Sequence, residues 1–163
     1  MWTLKFVYQH KDCMYSPKVK ELNIVFYGYP LNWYKKKNYL YITALQIVEG
    51  KLTNVKKYFN YLKSKSYKAE KISDNAFLTL RRVSKNKKYY QLLYSPIIFY
   101  SHPIIHKQGI EYFEISSWEK DPLSEIFQYL KKNKNTTKLR LLSFNQEKLK
   151  EIFLVKTVRK LTP

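Results

Sequence analysis

Apolar residues along this chain switch between two periods, and the switches mark the elements. Val55, Tyr58, Phe59 and Leu62 fall at i, i+3, i+4 and i+7, which places four apolar side chains on one helical face. Thr53 or Asn54 is available to cap that helix. Leu123, Ile126, Phe127 and Leu130 repeat the spacing, with Asp121 at the expected N-cap, Pro122 at the first helical position, and Lys131 and Lys132 where the last carbonyls attract cations.

Between the helices, β-branched and aromatic residues alternate with polar ones. Strands are expected over 3–8, 22–27, 39–48, 67–72, 77–83, 103–106, 110–116 and 138–142. Lys107-Gln108-Gly109 is a short turn with Gly where positive φ is wanted, so 103–116 reads as a hairpin. The stretch from Pro30 to Lys37 reads as a longer connection. Each half then runs strand, short irregular segment, hairpin, amphipathic helix, strand. This is the β-α-β-β-α-β order of a ferredoxin-like unit. The expected fold class is α+β: two tandem ferredoxin-like units with antiparallel sheets over 1–74 and 75–145, then a C-terminal helix over 145–153 and a linker in 146–163.

Composition narrows the class. The 163 residues are 45% hydrophobic and 17% aromatic, too apolar for general disorder. No apolar run approaches the length of a membrane helix and no signal-peptide pattern opens the chain, so a cytoplasmic protein is expected, without membrane partners. The single cysteine, Cys13, has no internal disulfide partner, in keeping with a reducing compartment. A net charge of +19 attracts any polyanion non-specifically. The candidate phosphate-contacting residues are Lys35, Lys36, Lys37, Lys85, Lys87 and Lys88, and solvated loops explain the same lysines equally well.

Three short segments carry a resemblance. The first strand runs into His10-Lys11-Asp12-Cys13, the hairpin contains His106-Lys107-Gln108-Gly109-Ile110-Glu111-Tyr112-Phe113, and the chain stops at Leu161-Thr162-Pro163. Together they resemble the archaeal helix-turn-helix regulators of the bacterio-opsin-activator type. In that family a His-Lys-Asp-Cys-Trp-like motif ends the first strand of a regulatory region, and a Leu-Thr-Pro-like tripeptide opens the DNA-binding domain. Met14 stands here in the Trp position, which removes an aromatic wall. The resemblance implies a transcriptional regulator's regulatory domain that pairs as a homodimer and contacts DNA through a C-terminal domain beyond this chain.

Candidate chemistry is sparse. His10 and Cys13 are the one close pair of soft metal ligands, and zinc or copper wants a third and fourth. His102 and His106 lie in the second half, so a site using them would have to bridge the halves. No metal, cofactor or catalytic residue is assigned. Glu111 and Glu114 sit three apart on one strand and so face opposite sides, against a paired-carboxylate site. The run 40–45 resembles the shorter RNA-recognition sheet motif, but its partner motif is missing. P-loop, dinucleotide, zinc-protease and hydrolase signatures are absent.

The sequence thus points to a non-catalytic regulatory or oligomerisation domain of an archaeal transcriptional regulator, with His10, Lys11, Asp12 and Cys13 as the expected ligand site. A small basic RNA- or DNA-binding module is the alternative, and a metal or redox protein centred on His10 and Cys13 is the third reading.

Overall fold

The computed structural model describes residues 1–147. The elements follow in the order β1 (Trp2–His10), α1 (Ser16–Glu21), β2 (Val25–Lys36), β3 (Tyr39–Glu49), α2 (Leu52–Lys65), β4 (Lys68–Lys71), β5 (Ala76–Ser84), α3 (Lys88–Leu93), β6 (Ile104–Lys107), β7 (Ile110–Ser117), α4 (Lys120–Lys132) and β8 (Thr136–Gln146). All strands join one antiparallel sheet in the order β4-β5-β3-β2-β6-β7-β1-β8.

This continuous sheet overturns the expectation of two tandem ferredoxin-like units, each with its own sheet. The cause lies in the first strand of each half. β1 pairs with β7 and β8, whereas β5 pairs with β3 and β4, so each half's opening strand is built into the other half's side of the sheet. The β2–β6 pairing then welds the two sides together at the centre. Read from either end, the order is the same once each strand is exchanged for the one four places along.

Local details also differ from the sequence reading. The stretch from Pro30 to Lys37 is mostly strand, because a register shift between Pro30 and Asn32 accommodates the proline and β2 runs on to a two-residue turn at Lys37 and Asn38. Gln108 and Gly109 both take positive φ, as a two-residue antiparallel hairpin turn demands. Asp121 lies in the first turn of α4 with Glu119 at the cap. Asn54 lies inside α2, where its amide donates to the Leu22 carbonyl and caps nothing. β8 extends to Gln146, so the start of the helix expected over 145–153 is strand, and the remainder lies outside the described residues.

Alternation along the strands gives the sheet a covered and an uncovered face. α4 and α3 pack Leu93, Leu123, Ile126 and Leu130 onto Leu4, Phe6, Phe113 and Ile115. α2 and α1 pack Val19, Val55, Tyr58 and Leu62 onto Phe26, Val48 and Phe77. Each such side chain contributes about 1.5–3 kcal/mol on burial. A smaller cluster of Leu40, Ile42, Val83 and Tyr90 shares Tyr89 and Tyr94 with the first of these. Among the described residues no helix is long and apolar enough to cross a membrane.

Candidate functional site

The exchange of β1 creates the site. β1 ends among the second-half strands, but the helix that follows packs with the first half, so residues 11–15 cross over β7 and β6 near the centre of the sheet. Beneath that crossing, register places polar residues side by side: Tyr8 pairs with Glu111, Glu111 with His106, and His106 with Phe26. Laterally paired residues share a face. Glu111 and His106 therefore point up under the crossing segment, into a layer built mainly from apolar side chains.

Their contacts form a connected cluster. Cys13 Sγ donates to Glu111 Oε1 at 2.6 Å and accepts from the Ser16 backbone N–H at 3.3 Å. Ser16 Oγ lies 2.9 Å from His106 Nδ1 and 3.5 Å from Glu111 Oε1. His10 Nε2 is 3.3 Å from Glu111 Oε1, and its Nδ1 is 2.6 Å from Asp12 Oδ1. Glu111 is 2% exposed and His106 4%. Aromatic rings clamp the imidazoles. His10 stacks on Tyr8 at 4.8 Å and leans on Tyr89, while His106 stacks on Phe26 at 4.7 Å with Tyr15 edge-on.

Burial and charge oppose each other here. Burial alone would push the His10 imidazole down, yet hydrogen bonds to Cys13 and Glu111 and the charge of Glu111 hold it up at about 10. Burial would raise the Cys13 thiol, but hydrogen bonds to His10 and His106 pull it below its ordinary value. Glu111 is likewise held down against its burial, by the positive charge of the two histidines and by hydrogen bonding to His10. The result is an imidazolium set against two groups biased toward their anions, in a small cleft. Tyr15, Tyr89, Tyr90, Tyr94 and Arg81 also line it.

Three of the four residues expected to bind ligand, His10, Asp12 and Cys13, line this cleft, whereas Lys11 is exposed and outside its lining. Met14 also lines it, and the aromatic wall that a Trp would supply comes from the tyrosines of α3. His106 joins from the second half. His102 does not: it sits with Glu114, whose carboxylate also meets Lys5. Glu111, Ser16 and Arg81 were missed from the sequence. A signal for Glu111 existed, because it alternates with Phe113 and Ile115 and so shares their inward face.

None of the lysine candidates lines the cleft. The Lys85 N–H donates to the Asn38 carbonyl, which brings the loop after β5 beside the Lys35-Lys36-Lys37 hairpin. Lys88 pairs with Glu125, and the charge of Lys87 helps hold the Asp12 carboxyl below its ordinary value, after His10 and against burial.

No protein-family model matches the chain, and no curated protein matches it.

Proposed function

We propose that this chain is a non-catalytic regulatory domain of an archaeal transcriptional regulator, acting in the cytoplasm, with the cleft under residues 10–16 as its effector site. The observation that carries the reading is the convergence of Cys13, His10, Glu111 and His106 on one cleft, with Ser16 bonded to His106 and Cys13 beside it. Burying such groups costs several kcal/mol unless partners satisfy them, and apolar residues would cover the same strands without that cost. The segment that carries Cys13 also bridges the two sides of the sheet, so occupancy of the cleft has a direct route to their relative position. The resemblance of His10-Lys11-Asp12-Cys13 to the regulator motif agrees with this. Transcript profiling of cells with the gene intact, deleted, or carrying His10→Ala with Cys13→Ser tests the reading. Deletion and the double variant should shift the same transcripts at unchanged protein level. A deletion that shifts none, or a double variant that behaves as wild type, contradicts it.

One observation favours a second reading, direct nucleic-acid binding. On the uncovered face Tyr34 pairs with Tyr41 and Tyr41 with Arg82. Tyr34 and Tyr41 stack at 5.1 Å, and the Arg82 guanidinium lies 4.5 Å from the Tyr39 ring centroid and 5.0 Å from that of Tyr67. Exposed rings beside the Lys35–37 hairpin offer stacking platforms next to phosphate-seeking charge. Titration of single-stranded RNA and DNA at two salt concentrations tests this reading. It requires Tyr41→Ala and Arg82→Ala to weaken binding about tenfold, each stacked base being worth about 1–3 kcal/mol.

A further inference from the structure

Of the residues of metal-ligand type that line the cleft, three from two distant parts of the chain bring donor atoms together. One donor atom each from His10, Cys13 and Glu111 lies within 4.8 Å of the other two. Tetrahedral zinc, with bonds of about 2.0–2.3 Å to such atoms, needs its ligands roughly 3.3–3.8 Å apart, so adjustments of about an ångström suffice. We propose that His10 Nε2, Cys13 Sγ and the Glu111 carboxylate bind a single divalent ion of the zinc class, leaving a fourth position open toward the cleft.

Four features support that assignment. First, His10 is already oriented as a ligand. Its Nδ1–H donates to Asp12, which leaves Nε2 as the nitrogen facing Glu111 and Cys13. A carboxylate behind the imidazole is the arrangement that fixes the tautomer of metal-bound histidine. Second, the donor set is one thiolate, one imidazole and one carboxylate. That mixture suits zinc and its neighbours, whereas magnesium and calcium want oxygen alone. Third, the charges match: a thiolate and a carboxylate balance a doubly positive ion, which displaces the protons now shared among His10, Cys13 and Glu111. Fourth, the Glu111 oxygen that meets Cys13 and His10 is also approached by Ser16 Oγ at 3.5 Å and by His106 Nδ1 at 3.9 Å, so it is the oxygen on which the neighbouring donors converge.

Three protein ligands with one open position is the pattern of sites that exchange a water for another molecule. This inference names the effector chemistry of the cleft and so rests on the regulatory reading. The ion, or a small anion on it, becomes the signal, and the crossing segment that carries Cys13 is what it pulls on.

The test is titration of the purified, reduced full chain with zinc and, separately, with cobalt(II) as a spectroscopic stand-in. The proposal expects one ion per chain and a thiolate-to-cobalt charge-transfer band. Cys13→Ser should abolish the band, and Asp12→Asn should keep it while weakening affinity about 10–100-fold, as loss of a positioning carboxylate does. Glu111→Gln should weaken binding at least tenfold. Glu114→Gln, on the opposite face, should change nothing. Circular dichroism establishes that each variant folds, and if Glu111→Gln does not, Cys13→Ser and Asp12→Asn decide. Absence of stoichiometric binding, or cobalt binding whose spectrum survives Cys13→Ser, overturns the proposal. If no ion binds while the His10/Cys13 double variant still abolishes the transcript response, the effector site stands and the metal falls. If the ion binds and transcripts ignore the double variant, the metal site stands and the regulatory reading falls.

Discussion

Glu111 and Glu114 lie three residues apart on β7, each beside a histidine, yet they occupy different chemical worlds. Glu111 faces the helices, is 2% exposed, and meets His10, Cys13 and Ser16. Glu114 faces the uncovered side, its side chain 22% exposed, and meets Lys5 and His102. Residue type and histidine proximity therefore do not make a site here. What makes it is the crossing segment, which removes Glu111 from water and forces its neighbours to answer its charge. In water the same pairing is screened and nearly free to break.

The largest expected effect comes from cutting the buried carboxylate. Glu111→Ala leaves a charged His10 without its main counter-charge and should cost about 3–5 kcal/mol in urea unfolding. Glu111→Ala no more disruptive than a surface change would erase the contrast between the faces.

The buried pair also responds to pH. His10 is raised to about 10 when folded, from 6.5, so its contribution to stability is fully present below about pH 6.5 and is lost as pH rises toward 10. Glu111 is lowered, so its contribution is present above its ordinary value of 4.5 and is lost as pH falls through its folded value. Unfolding of wild type and His10→Gln across pH 5–10 should therefore show the wild-type advantage shrinking as pH rises, while an advantage that grows with pH contradicts the assignment. A smaller loss is expected for Ser16→Ala, about 1–3 kcal/mol, because a buried His106 nitrogen loses its partner. Smallest of all is Glu114→Gln, which should stay within about 1 kcal/mol by the same measurement.

Much of this contrast was legible in the chain. Alternation through Glu111, Phe113 and Ile115 separates Glu111 from Glu114, and the spacing of Val55 to Leu62 and Leu123 to Leu130 marks both long helices. His10 and Cys13 stand out as soft ligands. The exchange of β1 and β5 was not legible, because local pattern shows which face a strand buries and not which strand it pairs with. The error about two separate units follows directly, and so does the missed cluster. Only with β1 beside β7 does the segment after His10 pass over Glu111 and His106. Arg81 was hidden for a related reason: a cation on the inward face of β5 signals nothing until Tyr90 is seen accepting from it at 2.7 Å.

The central claim is that the polar cluster is kept for binding and not to hold the sheet together. It is tested most directly by replacing the three central members of the cluster together, with His10→Phe, Cys13→Val and Glu111→Leu combined, and measuring urea unfolding at neutral pH. Exchanging a buried polar network for apolar residues of similar size is often neutral or stabilising, and Phe at position 10 retains the stack on Tyr8. The triple variant should unfold at a urea concentration equal to or above that of wild type. A loss of more than about 2 kcal/mol, beyond the usual cost of a volume-conserving swap, would show that the cluster is a structural fastening and would contradict the account.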